Sequence, residues 1–200
     1  MKPTLKFSLL IGCIALLLQW QLTFASFQAG EDAYVNNDYQ TAYQQWEPLA
    51  RQGNKEAQNM LGYMYRNAQG LPQNFEKARY WYQQAADQGY DRAQNNLGVM
   101  HRLGLGGPQD YEEAFHWFHR AAEQGNGGGQ NHLGLMYYKG EGITQNYVQA
   151  YKWATLSAEQ GLDQAIQAIK ILERDMTPAQ LEKAKQLAKD WKPKGKETML

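Results

Sequence analysis

Two histidines stand at a spacing that could place a metal ion. His116 and His119 lie three residues apart, and side chains at that separation share one side of a helix. A zinc site needs three or four ligands, and the sequence fixes no third ligand beside this pair. The chain has a single cysteine, Cys13, which excludes a multi-cysteine zinc site. We therefore predict packed or solvated histidines, with no metal site and no cofactor.

A run of glycines imitates a phosphate-binding loop. Asn126 is followed by three glycines, residues 127–129. A nucleotide-binding loop of this kind follows a strand and ends in Gly-Lys-Ser or Gly-Lys-Thr, and neither feature is present here. We interpret the run as the start of a helix, which its glycines should cause to fray.

The composition describes a folded protein and argues against a bulk nucleic-acid binder. The 200 residues include 20 basic and 20 acidic side chains, so the formal charge is zero. A bulk nucleic-acid binder would carry a basic face. Hydrophobic residues make up 43% of the chain and charged residues 20%, which is too apolar for a disordered chain. The 13 tyrosines and 6 tryptophans need packing partners, and the 19 glycines mark many turns.

The first 25 residues have the pattern of a secretory signal peptide. Lys2 and Lys6 precede an almost unbroken apolar run over residues 7–18. The small residues Thr23 and Ala25 stand three positions and one position before a possible cleavage point after Ala25. The run is shorter than the roughly 20 apolar residues of a membrane-spanning helix. We predict cleavage after Ala25 and a periplasmic or secreted location.

Two alternatives to this cleavage remain open. Residues 10–13 resemble a bacterial lipobox, which would make Cys13 the site of a lipid anchor, and the segment could also stay uncleaved as an anchor. Cleavage after Ala25 removes two lysines and no acid, so the remaining chain has a net charge of −2 and no thiol. Direct binding of the mature chain to a membrane is therefore not expected.

The body of the chain repeats every 36 residues. Four Gln-Gly pairs, three Leu-Gly pairs, three tryptophans and four alanines recur at this step. They include the glycines Gly53, Gly89, Gly125 and Gly161, the glycines Gly62, Gly98 and Gly134, the tryptophans Trp81, Trp117 and Trp153, and the alanines Ala42, Ala78, Ala114 and Ala150. This agreement at one period predicts a stack of similar units.

Each unit is predicted to form two helices. In the second unit, Ala93, Leu97 and Met100 recur at helical spacing. After a glycine-rich loop, Asp110 is suited to cap the next helix, and Gly125 is suited to end it. No segment alternates apolar and polar residues for long enough to predict a strand. The prediction is an all-α fold.

Three of the glycines and two aromatic positions predict close packing between the helices. Glycine inside a helix costs about 1 kcal/mol relative to alanine, so the repeated Leu-Gly pairs indicate that the glycine makes room for a neighbouring aromatic ring. We expect Trp117 to be buried between helix pairs. His101 stands in a tyrosine column and is expected to be a core residue with one hydrogen bond.

The repeated strings resemble a known family. They read Ala-Gln-Asn-x-Leu-Gly-x-x-Tyr, then Gly-x-x-x-Asn/Asp-x-x-x-Ala, then Trp-Tyr-x-x-Ala-Ala-x-Gln-Gly, and they are similar to the Sel1-like repeat of the tetratricopeptide superfamily. The resemblance implies a right-handed α/α superhelical solenoid of antiparallel helix pairs. The units are an opening short repeat over 26–53 and full repeats over 54–89, 90–125 and 126–161.

The end of the chain departs from the repeat. Residues 162–191 are predicted to form a partial repeat and a capping helix that seals the stack. That helix starts at Thr177 and Pro178, with Gln180 three residues after the cap. The last residues, 192–200, are expected to be a disordered tail.

The resemblance also implies a candidate binding surface. In this superfamily the first helix of each unit lines the concave side, which we call the inner groove. Counting from each Leu-Gly pair, its predicted peptide-binding residues are Asn59, Tyr63, Arg66, Asn95, Arg102, Asn131 and Tyr138. Asparagine can donate to and accept from an extended backbone, and arginine can bind a carboxylate through two hydrogen bonds. These residues could equally be ordinary solvent-facing polar side chains.

The function implied by the resemblance is that of an interaction module. Members of the family mostly bind other proteins, so we expect an exported, non-enzymatic module that binds a protein or peptide partner in the bacterial envelope, without nucleic acid. The alternative is an envelope hydrolase of the penicillin-binding or β-lactamase-like kind linked to cysteine-rich relatives. Such an enzyme would need Ser-x-x-Lys, and none of Ser8, Ser26 and Ser157 has that lysine. A structural assembly factor that uses its outer helices is a third possibility.

Overall fold

The computed structural model describes residues 23–194, and within that range the chain is all-helical. Residues 23–35 form α1. The helices that follow are α2 (Tyr39–Arg51), α3 (Lys55–Asn67), α4 (Phe75–Asp87), α5 (Asp91–Leu103), α6 (Tyr111–Glu123), α7 (Gly127–Lys139), α8 (Tyr147–Ala158), α9 (Asp163–Asp175) and α10 (Pro178–Asp190). Most of the predicted signal peptide, residues 1–22, lies outside the described residues. No helix in the described part is both long and apolar enough to cross a membrane.

Short polar side chains begin the second helix of each unit, as the sequence predicts, and also begin the first helices α3 and α7. Asp110 accepts a hydrogen bond from the Glu113 amide at 3.0 Å, and asparagines do the same at the start of α3, α4, α7 and α8. This bond satisfies an amide of the first turn that has no partner within the helix. Asn126 caps the glycine run by accepting from the Gly129 amide at 2.8 Å. The run is therefore a helix start, as predicted.

Successive helices pack in one continuous series. The pairs α3/α4, α5/α6 and α7/α8 each pack as a unit, and α4, α6 and α8 in turn pack against the first helix of the next unit. The turn between units needs glycine, because Gly125 adopts a φ of +89°, a conformation that L side chains rarely adopt. This arrangement confirms the predicted solenoid of helix pairs.

Buried glutamines join each unit to the next. Gln94 is fully buried, and its side-chain amide donates to the Ala86 carbonyl of the preceding unit at 3.2 Å. Gln124 then donates to the side-chain oxygen of Gln94 at 2.7 Å. The same two bonds occur at Gln58 with Gln88 and at Gln130 with Gln160. These bonds explain why both the Ala-Gln and the Gln-Gly strings recur with the period.

The helix-interior glycines accommodate rings in two of the three units. A Cβ added at Gly62 would lie 2.7 Å from the ring of Tyr82, and one added at Gly98 would lie 2.7 Å from the ring of Phe118. The sequence expectation of a neighbouring ring is thus confirmed at these two crossings. A Cβ added at Gly134 would have no ring atom among its three nearest neighbours, and the nearest is the Ala150 carbonyl oxygen at 3.2 Å.

The C-terminal helix starts as predicted and packs at the end of the stack. Thr177 and Gln180 form the reciprocal capping bonds. The helix packs mainly against α8, where Trp191 contacts Trp153 with ring centroids 5.9 Å apart. Its Ala184 is buried in one cluster with Leu172 of α9.

The first residues of the predicted disordered tail also have defined contacts, which corrects that expectation for them. The Lys194 amide donates to the Glu123 carbonyl at 2.7 Å, and its ammonium group lies 2.5 Å from the Glu123 carboxylate. Residues 195–200 lie outside the described residues.

The burial of Trp117 generates a stability prediction. Its side chain is 6% exposed and packs in one cluster with Tyr82 of the preceding unit and Leu97 of its own unit, as predicted. Trp117→Ala should lower the free energy of unfolding by about 3–5 kcal/mol, the usual loss for a large buried aromatic residue. Urea denaturation measures it. Tyr80→Ala, at a position that is 55% exposed, is the control and should change stability by less than about 0.5 kcal/mol. Equal effects of the two changes would contradict the packing.

Candidate functional site

The predicted residues of the inner groove lie on the first helices of the three full repeats. The predicted residues Asn59, Tyr63 and Arg66 lie on α3, Asn95 and Arg102 on α5, and Asn131 and Tyr138 on α7. The 36-residue period places them at equivalent positions on successive helices, so they follow one another along the stack. Their role in binding a peptide stays a prediction.

The asparagine column is less open than the sequence suggests. Asn59 is only 8% exposed, and its side-chain oxygen accepts a hydrogen bond from Asn96 at 3.0 Å. Asn95 accepts from Nδ1 of His132 at 2.9 Å. Each of these asparagines therefore ties its own helix to the next first helix. Their amide oxygens are occupied within the protein.

Asn131 breaks this pattern. The position that would supply its donor, 36 residues after His132, is Ala168. Asn131 instead donates through Nδ2 to the side-chain oxygen of Gln164 at 3.3 Å. Because the alanine side chain has no donor, Ala168 cannot form the equivalent hydrogen bond to the Asn131 side-chain oxygen. This amide keeps an acceptor facing the end of the inner groove.

The two arginines differ in their electrostatic surroundings. The Arg102 guanidinium forms a two-point ion pair with Glu141, with Nε–Oε2 2.7 Å and Nη2–Oε1 3.3 Å. The hydrogen bond from Arg102 lowers the pKa of the Glu141 carboxyl. The residue one repeat before Glu141 is Leu105, and Arg66 forms no ion pair within the described part of the chain. Arg66 is thus the arginine that is available to a partner's carboxylate.

The two predicted tyrosines also differ. Tyr63 is 39% exposed and meets the ring of Tyr34 edge-on, with centroids 6.4 Å apart. Tyr138 is half-buried and stacks on Tyr147 with centroids 5.7 Å apart. Tyr63 therefore offers the more accessible ring.

Three of the four histidines pack against neighbouring side chains, and one of these three, His132, lies on a first helix of the groove. His101 is 5% exposed beside Arg79, as expected of a core residue, and burial followed by the Arg79 charge lowers its pKa. His116 is exposed, and His119 packs near Trp153 with ring centroids 6.4 Å apart. Over residues 23–194 no group of three side chains suited to hold a metal ion occurs.

His132 was missed by the sequence reasoning. Its ring stacks on Phe118 with centroids 4.6 Å apart while it donates to Asn95. Burial, with a smaller effect from the Arg102 charge, lowers its pKa to about 4. The signal that could have found it is its position in the column of Asn96, the residue that donates to the preceding asparagine.

An apolar cavity at the end of the groove was also missed. It lies between α7, α8 and α9, has a volume of about 190 Å³, and is lined by Asn131, Gly134, Leu135, Tyr138, Ala150, Ala154, Gln164, Ala168, Ile171 and Leu172. Two predicted groove residues, Asn131 and Tyr138, thus belong to its wall. The sequence signal was Ala154, which stands where the two preceding units carry Tyr82 and Phe118.

The lowered pKa of His132 predicts a loss of stability in acid. The unfolded chain takes up this proton below its ordinary value of 6.5, whereas the folded chain does so only near 4. Stability should therefore fall as the pH drops from about 6.5 to 4, by on the order of 2–3 kcal/mol from this group. His132→Gln can still donate to Asn95, and it should flatten this part of the curve when urea unfolding is measured against pH.

The exposed His116 on α6 provides the control for this measurement. His116→Gln should keep the acid-side slope of the parent. His101 and His119 also have lowered pKa values and leave some slope in every variant. A slope that His132→Gln does not reduce would contradict the buried, neutral imidazole.

Comparison with known proteins agrees with this geometry. The family model described as Sel1 repeat matches residues 55–90, 91–126 and 128–162. A Sel1 repeat protein from Oxalobacter formigenes has a similar crystal structure, with 33% identity, a TM-score of 0.69, and coverage of 73% of this chain and 58% of that one.

A second similar crystal structure is that of c5321, a protective antigen present in uropathogenic Escherichia coli strains that displays an SLR fold. It has 26% identity, a TM-score of 0.60, and coverage of 84% of this chain and 45% of that one. This chain thus spans about half the length of these two proteins. No curated protein matches it. Three matched repeats over more than half of its residues, on a solenoid of helix pairs, show that the chain belongs to the Sel1 repeat family.

Proposed function

We propose that this protein is an exported, non-enzymatic module that binds an extended segment of a protein partner in the bacterial cell envelope. The observation that carries the proposal is the composition of the inner groove. Arg66 has no counter-ion within residues 23–194, Tyr63 is exposed beside it, and the groove ends in an apolar cavity. A cationic side chain, an accessible ring and an apolar pocket on one continuous surface suit a peptide better than a small polar substrate.

The surroundings of Ser157, one of the two serines within residues 23–194, support a non-catalytic role. Ser157 is fully buried, and its hydroxyl donates to the Gly127 carbonyl at 2.9 Å. A nucleophile must be reachable and must lie beside a base, and Ser157 instead joins two helices. The competing hydrolase can be tested with a chromogenic β-lactam, which the purified protein should leave intact. Turnover that a groove substitution abolishes would overturn the non-enzymatic proposal.

Export is supported by the N-terminal sequence and by the position of the first packed residues. The predicted cut after Ala25 keeps Phe27 in the mature chain. The Phe27 carbonyl accepts from Nε1 of Trp46 at 3.2 Å, and the two rings lie 6.0 Å apart. Cleavage at this place removes residues 23–25 from the start of α1 and keeps the contact of Phe27 with the buried Trp46.

Export generates a prediction about the mature N-terminus. When the full-length chain is expressed in a bacterium, the protein in the periplasmic fraction should begin at Ser26, because the small residues before Ala25 fit the signal peptidase. Intact-mass measurement determines this. A signal-blocking variant such as Ala25→Arg is the control and should accumulate uncleaved. A lipid-modified Cys13 at the N-terminus would instead show a membrane-tethered protein.

The unequal arginines generate a prediction about the groove. Peptides selected from a random displayed library against the purified protein provide a ligand, and titration measures their affinity. Arg66→Ala should weaken binding about 2- to 5-fold at low salt and less at high salt, as expected for a partly exposed charge contact. Arg102→Ala should mainly lower stability, because it removes the two-point ion pair and leaves Glu141 with the longer contact to Lys139, at 3.6 Å.

The control for this titration lies on the outer surface. Lys183 is exposed on α10, so Lys183→Ala removes the same charge away from the groove and should bind like the parent. If Lys183→Ala or another outer change abolishes binding while Arg66→Ala has no effect, the partner uses the outer helices. That result would favour the structural assembly factor.

A further inference from the structure

The third repeat differs from the other two at the centre of its helix pair. The residues that cover the helix-interior glycine are Tyr82 over Gly62 and Phe118 over Gly98. The corresponding residue over Gly134 is Ala154. The space that a ring fills in the first two repeats is therefore lined by a methyl group in the third.

A second ring is missing at the same place. In the second repeat the Phe118 ring is stacked by His132 of the next first helix, with centroids 4.6 Å apart. One repeat later, the residue in the column of His132 is Ala168. Both Ala154 and Ala168 line the cavity. Two alanines in place of two stacked rings are thus the physical origin of the cavity.

The size and lining of the cavity suit an aromatic ring. Its volume is about 190 Å³, and an apolar cavity of about 150 Å³ in another protein is known to bind benzene. Nearly all of the lining side chains are apolar, with Leu172 buried at the base and Ile171 41% exposed at the rim. The mouth is reachable from solvent, because Gln164 at its edge is exposed.

A hydrogen-bond acceptor lies at the mouth. The Asn131 side-chain oxygen has no donor at Ala168, whereas the equivalent oxygens of Asn59 and Asn95 accept from Asn96 and His132. A backbone N–H next to an inserted ring could donate to it. The cavity and this acceptor have one cause. Ala168 stands where the preceding repeat has His132, so this repeat lacks both the ring that stacks on Phe118 and the donor that binds Asn95.

We propose that this cavity is an anchor pocket for an aromatic side chain, phenylalanine in the first place, of a bound peptide, with Asn131 accepting from the peptide backbone. The proposal rests on the peptide-binding function proposed above and gives it a sequence preference. The guest ring occupies the place that Phe118 holds in the preceding repeat. It packs between Ala154 and Ala168 against Gly134.

Charge complementarity extends the preference along the groove. Arg66 lies on α3, two first helices before α7, and neighbouring helices are spaced by about 8–10 Å. The distance from Arg66 to the pocket is therefore on the order of 20 Å, which an extended chain covers in about six residues at ~3.3 Å each. The partner segment has an aromatic residue and, about six residues from it, an acidic one.

The pocket can be tested without the natural partner. Titrating the purified protein, labelled at its alanine methyl groups, with N-acetyl-phenylalanine amide should give saturable NMR shifts at Ala150, Ala154 and Ala168, which all line the cavity. N-acetyl-alanine amide should bind at least about tenfold more weakly, because it buries no ring. Ala154→Phe should abolish the shifts at Ala150 and Ala168 by placing the protein's own ring in the pocket. The control Ala179→Phe, at an exposed position on α10, should leave them unchanged.

A second variant keeps the test decisive if Ala154→Phe folds poorly. Ala154→Phe with Ala168→His recreates the stacked pair of the preceding repeat, and it should fold and also lose the shift at Ala150, the reporter methyl that it retains. Binding of the phenylalanine derivative that survives in a folded, filled variant overturns the proposal. So does an equal response to the alanine derivative, or no binding to the parent at all. A tighter response to N-acetyl-leucine amide overturns the aromatic assignment.

The outcomes separate the pocket from the wider function. Library peptides that bind in an Arg66-dependent way but show no aromatic enrichment and no loss with Ala154→Phe would refute the pocket and leave the peptide-binding function standing. Phenylalanine-amide binding in a protein for which no library peptide binds would support the pocket and count against the function. Aromatic enrichment that disappears with Ala154→Phe supports both.

Discussion

The stack depends on buried glutamines that bond across each junction between units. Gln94, inside α5, donates to a carbonyl at the end of α4 and accepts from Gln124 at the end of α6. An amide buried without partners would cost several kcal/mol, and an amide bonded at both ends costs far less. The bonds form only if the helix ends and the next first helix meet in one register. The glutamines therefore fix how one unit follows the next, which is why their strings recur every 36 residues.

Glycines inside the helices make room for the large rings that pack between the two helices of a unit. Because the junction holds the helices close together, the crossing points within a unit have room for a large ring on one helix only if the other helix carries glycine. Gly98 accepts the ring of Phe118 in this way. The roughly 1 kcal/mol lost in helix propensity at Gly98 is offset by the burial of an entire phenylalanine side chain. The same logic makes the third unit distinctive, since Gly134 is retained there without a ring.

The surface properties of the groove follow from which repeated positions vary. A carboxylate at residue 141 occupies Arg102, whereas Leu105 in the equivalent place leaves Arg66 without one. A histidine at residue 132 satisfies Asn95 and is held neutral by burial, which lowers its pKa to about 4. In a solenoid each unit touches only its neighbours, so one substitution changes the groove locally. The charge and hydrogen-bonding groups that one unit presents in the groove can thus change while the packing of the stack stays the same.

The sequence by itself determined the helix pairs, their period, the helix caps and the family. These depend on local spacing, on the conformational freedom of glycine and on short polar caps, all of which are visible in the order of residues. The sequence also placed Asn59, Asn95 and Asn131 on one surface, because the period puts equivalent residues on equivalent faces.

Only the tertiary structure decided which of those side chains remain available. Whether an asparagine oxygen or an arginine is occupied depends on a residue about 37 to 39 positions away on the next first helix or the loop after it. The path of α10 along α8 was decided in the same way, because a capping helix buries its alanines wherever an apolar surface is exposed. The cavity at Ala154 and Ala168 is likewise a property of three packed helices. No single stretch of sequence contains the space between them.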